Sequence, residues 1–297
     1  MADDYIIGVV FAILAGIIAS SGNILQKNAV NKIPKENRDE KFMRTLVKSP
    51  SWVIGTIMCY VISAVFMLLA QNSIGPALIP GLFASGLIVL AIGSVKLIGE
   101  RLKPIEFFAI ILIVIAVLIL GLSELDISAD EIGTIDLFLM IRIIIFSIII
   151  LVLWIFNTIL SKKDIRHKGI VLSIAAGYQF ILANVWTFCL LISLNSMTRG
   201  SGSLLDIIML CLALIIIILN NYLGIKQTQE AYKYAQASQV QPTQEVPKQI
   251  STVFIYFFVF LKIASGISIS FIITGSILVI IGGFLLGKRQ AELDSIE

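Results

Sequence analysis

The sequence predicts an all-α membrane protein of nine transmembrane helices, arranged as an inverted repeat of four plus four helices with one linker helix between them. Three observations predict this class. The 297 residues are 58% apolar and only 14% charged, with a mean hydropathy of +0.99. Apolar stretches of bilayer-spanning length recur along the chain, and Lys and Arg collect in alternate loops. A soluble domain carries about 25% charged residues, so most of this surface must face lipid.

A bilayer core about 30 Å thick takes roughly 20 helical residues, and backbone polar groups inside it must be satisfied within the helix. Nine segments meet that requirement: 5–25, 52–71, 74–98, 105–122, 137–160, 169–194, 204–223, 240–261 and 266–286. We call them spans 1 to 9. The first follows Met-Ala-Asp-Asp, an acidic start where a signal peptide carries basic residues, and is expected to be a retained helix. Span 8 is the least apolar. Its strictly apolar part covers only 253–261, so the polar stretch 241–252 must enter the membrane, or the segment must be re-entrant.

Orientation follows from basic residues, which stay on the cytoplasmic side. Eighteen of the 22 Lys and Arg fall after spans 1, 3, 5, 7 and 9, whereas the other side has Arg199 and Lys262 and gathers Asp3, Asp4, Glu124, Asp126, Asp130, Glu131 and Asp136. This predicts an outside N-terminus and a cytoplasmic C-terminus in a multi-pass protein of the cell membrane. Arg142 and Lys248 lie within spans; Arg142 is expected to snorkel outward or pair with Asp206.

Two weak internal matches suggest the repeat. The segment Ala70 to Pro80 resembles Ala231 to Pro242, an offset near 162, and Ala19 to Leu25 resembles Ala175 to Ile181, an offset of 156. The expected division is a first repeat over 1–122, a linker helix with its loops over 123–168, and a second repeat over 169–297. Because an odd helix separates them, the second copy enters from the opposite face, an arrangement that favours secondary transporters.

Composition also closes several chemistries. His167 is the single histidine and lies in a basic loop, which removes His-based metal sites and Ser/His/Asp triads. Cys59, Cys189 and Cys211 sit in apolar runs and read as packing residues. Gly282 to Arg289 nearly matches a phosphate-binding loop, but Arg289 replaces the needed Ser or Thr and no strand precedes it. Neither a cofactor nor a nucleic-acid partner is expected; the chain reads as no enzyme.

Span 8 carries the sharpest chemical signal. Gln241, Glu245, Lys248 and Thr252 follow one helical face, with Gln244 and Gln249 beside them and Pro242 and Pro247 as kinks. Charged side chains in a span mark a solute pathway or a buried partner, or a helix whose first turns lie among headgroups. Further cavity candidates are Ser20 and Asn23 in span 1, Ser85 in span 3 with Pro80 as its hinge, and Gln179 and Asn184 in span 6. Asn220 and Asn221 end span 7. Such amides also serve simply to bond neighbouring helices. Gly8, Ala12, Gly16 and Ser20 form a small-residue stripe expected to admit a close helix.

The Gly99-Glu100-Arg101-Leu102 turn, the Ser20-Ser21-Gly22-Asn23…Lys27 end of span 1 and the Gly75-Pro76…Pro80 start of span 3 resemble the drug/metabolite transporter superfamily. Nine spans and an outside N-terminus make the chain most similar to its NIPA-type magnesium-transporter branch, next to the EamA-type metabolite exporters. Lys262 departs from that symmetry, standing where the second repeat would carry the counterpart of Glu100. The resemblance implies gradient-driven, alternating-access transport of a small polar solute, or of Mg²⁺ held through Glu245, with a proton or cation for coupling and a homodimer as an open arrangement. One intramembrane carboxylate is thin for Mg²⁺, which prefers several oxygen ligands. An intramembrane enzyme and a non-transporting scaffold are the alternatives from other classes.

Overall fold

A computed structural model describes residues 2–34, 42–74, 79–100, 102–123, 132, 134–163 and 167–293, and describes no side chains at 2–5, 71–81 or 287–293. Pro80's side chain, most of the Ala70–Pro80 match, Arg101, Glu124 to Glu131, and the Lys288 and Arg289 side chains therefore lie outside the described residues.

The described residues are helical, with no strand. The helices are α1 (Ala2–Asn31), α2 (Phe42–Val47), α3 (Pro50–Ile57), α4 (Ser63–Ile74), α5 (Ile79–Ala84), α6 (Gly86–Gly93), α7 (Pro104–Gly121), α8 (Leu137–Lys163), α9 (Lys168–Thr198), α10 (Leu204–Ala231), α11 (Ala237–Phe254) and α12 (Gly266–Leu293). Three π turns, at Met58–Ile62, Ser94–Ile98 and Ile255–Val259, join α3 to α4 and extend α6 and α11. Proline opens α3 and α7, where its missing N–H costs nothing.

Seven helical stretches are long and apolar enough to cross a bilayer, coinciding with predicted spans 1, 2, 4, 5, 6, 7 and 9. This is a multi-pass α-helical membrane protein. Span 3 is broken at Ser85, and its apolar part is the shorter Leu82–Ile98. In place of span 8, α11 and its π turn make an unbroken run of 18 plus 5 residues, about 35 Å at 1.5 Å per residue, with a polar first half.

Packing follows a recurring scheme. α1 packs on α3, α4, α5 and α6; α9 packs on α10, α11 and α8; α7 packs on α12. Small residues allow the closest approaches. A methyl at Gly16 would overlap the Phe83 carbonyl, and one at Gly177 would lie 2.9 Å from the Gln244 carbonyl oxygen and 2.6 Å from Pro247 Cγ. Gly177 follows Gly16 by 161 positions, and Gln244 follows Phe83 by the same 161. The π turn at Ile255–Val259 also follows that at Ser94–Ile98 by 161. A left-handed residue stands one position after the earlier turn and two after the later one, Gly99 (φ 75°) and Leu261 (φ 51°). Along α7 and α12, Gly275 abuts Leu120 while Gly282 abuts Ile113, so the two helices run antiparallel.

The expected Arg142–Asp206 pair is replaced by local capping. Asp206 accepts from Ser203 N (2.9 Å), Ser203 Oγ (2.8 Å) and Ser196 Oγ (3.2 Å), closing the N-terminus of α10, whereas Arg142 Nε donates to its own helix at Phe138 O. One carboxylate oxygen, Oδ2, takes all three bonds at the positive end of α10.

Candidate functional site

A cavity of about 670 Å³ lies between residues of 1–122 and residues of 169–297. Nine of the predicted cavity residues line it: Ser20, Asn23, Asn184, Gln241, Gln244, Glu245, Lys248, Gln249 and Thr252. Two do not. Gln179 is fully buried elsewhere, with neither amide atom hydrogen-bonded. Ser85 bonds back to the Leu82 carbonyl at the break in span 3.

Helical phase explains who arrives. Gly177 faces α11, and Asn184 stands seven residues on, two turns along the same face, whereas Gln179 is two residues on and points to the far side. Gly16 and Asn23 have the same spacing on α1. Pro242 and Pro247 each remove one helix bond, freeing the carbonyls of Ser238 and Thr243, neither of which lines the cavity. Pro247 instead packs on Gly177.

Sequence reasoning missed Tyr60, Ser63, Phe83 and Phe180 on the wall. Tyr60 and Ser63 are polar groups near the middle of span 2, a signal that was available. The aromatics carry no signal separating them from lipid-facing Phe.

Amides at the closed end are engaged. Gln241 Nε2 donates to Asn23 Oδ1 (3.1 Å) and to the Tyr232 hydroxyl (2.6 Å); Cys59 Sγ lies 3.3 Å from the same Asn23 oxygen. Burial pushes the Tyr232 phenol well above its ordinary range, so it stays a neutral donor and acceptor. Gln244 Nε2 reaches across to Thr228 Oγ1 (2.9 Å). Asn221 donates to its own helix at Ile217 O (2.9 Å).

Glu245 and Lys248 are ion-paired one turn apart, partly exposed to the cavity, with the ammonium 5.8 Å from the Phe180 ring centroid. They are the one acid and one base among the described lining residues. The ion pair closes within α11, and the Lys248 ammonium near the Phe180 ring adds a contact from α11 to α9. Among the described residues no group of three His, Cys, Asp or Glu is placed to hold a metal ion.

Neither protein-family models, curated proteins nor solved structures yield a match to this chain.

Proposed function

We propose that the protein is a gradient-driven, alternating-access transporter of a small polar solute, one that is net neutral and carries both a cationic and an anionic group. The observation that carries this reading is the Glu245–Lys248 pair facing a cavity between the two halves. A lone cation would meet Lys248, and a lone anion Glu245, each with uncompensated charge in a low-dielectric space. A solute bearing both signs replaces the internal pair group for group, and the amides around it satisfy its remaining donors and acceptors.

Alternating access follows from reading the two halves as an inverted repeat, a reading that several correspondences support. The Gly16–Phe83 and Gly177–Gln244 contacts, the two π turns and their left-handed successors repeat at 161 or 162 positions. In this register the Ala19–Ala175 match, at 156, gives way to Ala15-Gly16…Asn23 against Ala176-Gly177…Asn184. The Leu120–Gly275 and Ile113–Gly282 contacts exchange with each other at an offset of 162, as an in-plane two-fold axis between antiparallel α7 and α12 requires. Nine crossings follow, with α11 taking its polar half into the membrane, the N-terminus outside and the C-terminus in the cytoplasm. Membership of the drug/metabolite transporter superfamily fits this arrangement. Mg²⁺ fits it less well, since the one lining carboxylate is neutralised by Lys248.

Uptake into proteoliposomes tests the proposal with three probes: a panel of radiolabelled α-amino acids, a polyol, and Mg²⁺. Exchange of at least one amino acid, without net Mg²⁺ entry, is the expected result. Mg²⁺ entry with no amino-acid exchange overturns it.

A further inference from the structure

One end of the cavity is shut by a buried polar clasp, and its components come from both halves. The Glu100 carboxylate accepts from Ala237 N (2.7 Å), Ser238 N (3.3 Å) and Ser238 Oγ (2.8 Å), capping the N-terminus of α11. Glu106 accepts from Gln239 Nε2 (2.7 Å) one residue further along. Lys27 donates to the Ala235 carbonyl (2.7 Å) and to that of Tyr232 at the end of α10. Gln229 donates to Gln26 (2.6 Å). Each of these bonds joins residues before 122 to residues after 228, and all lie where α1, α6 and α10 end and α7 and α11 begin. The cavity wall runs away from this clasp, toward Leu120 and Gly121 at the end of α7 and Ile255 after α11.

Charge placement gives the clasp its strength. A carboxylate at the positive end of α11, and an ammonium at the negative end of α10, each meet unsatisfied backbone groups.

We propose that Glu100 is the gating residue of the cytoplasmic face: its cap on α11 holds that face closed, and its release from Ala237 and Ser238 opens the cavity inward. This rests on the transporter reading. Glu100 positions α11 and does not itself touch the solute.

The test uses Cys59, which lines the cavity, in a full-length C189S/C211S background, with a membrane-impermeant maleimide applied from either face of oriented vesicles. Glu100→Gln keeps the side-chain volume and weakens the cap. Ser238→Asp retains an N-terminal helix residue of favourable charge but sets a second carboxylate against Glu100, so α11 remains folded while the clasp breaks. Losing a cap of ordinary strength shifts the two-state ratio by about tenfold. Both variants are expected to gain roughly that much Cys59 labelling from the cytoplasmic face and lose it from the outer face. Unchanged labelling in both variants, in a protein that still exchanges amino acids, overturns the gate and leaves the transport reading standing. Unchanged labelling with no exchange of any probe by the unsubstituted protein overturns both.

Discussion

Lys248 and Glu245 are the residues on which the proposed transport turns. Removing one partner leaves the other desolvated, so Lys248→Ala is expected to cut amino-acid exchange at limiting concentration by at least about tenfold. The neutral double variant, Glu245→Gln with Lys248→Gln, carries no orphaned charge. It is expected to elute as a monodisperse peak and melt no lower than the unsubstituted protein, yet to exchange nothing; retained exchange would show the pair to be structural. A second residue-scale prediction concerns close approach. Gly177→Ala pushes a methyl to 2.9 Å from the Gln244 carbonyl oxygen and is expected to cost about 1–3 kcal/mol, read as a lower melting temperature in detergent. Gly266→Ala, with nothing within 4 Å, is the matched control and is expected to change stability by less than about 0.5 kcal/mol. At this scale the sequence made much of the site visible, because polar side chains in apolar helices stand out. It left Gln179 misplaced, since an amide signals polarity but not direction. Direction came from Gly177, whose face Asn184 shares and Gln179 does not. Glu100 was visible only as part of a turn, because its partners lie more than 130 positions away.

At the scale of elements, hydropathy located the seven long apolar helices because lipid-facing residues must be apolar whatever their neighbours. The break at Ser85 and the three π turns were not legible, for hydropathy carries no record of which carbonyl each N–H bonds. The polar half of α11 was legible as an anomaly. Its cause is tertiary: Ser238, Gln239, Gln241 and Gln244 spend their polar groups on Glu100, Glu106, Asn23 and Thr228. A helix with its polar groups satisfied by neighbours can lie inside the membrane. Single cysteines at Tyr234 and Ile263, both exposed and flanking α11, are accordingly expected to react with an impermeant maleimide from opposite faces. Reaction from the same face would make α11 re-entrant.

At the scale of the whole molecule, the proposed function rests on two halves related by an in-plane two-fold axis, which would give two states by exchanging conformations, with the cavity between them as the solute's path. The gate proposed at Glu100 would break that symmetry and set which face is closed. The antiparallel contact of α7 with α12 requires an odd number of crossings between their starting points. The most direct test is therefore topological. An epitope placed at each chain end, probed in intact cells and again after permeabilisation, is expected to expose the N-terminal tag at once and the C-terminal tag only after permeabilisation. Both tags exposed together, or both hidden together, would contradict the inverted arrangement and the transport cycle built on it.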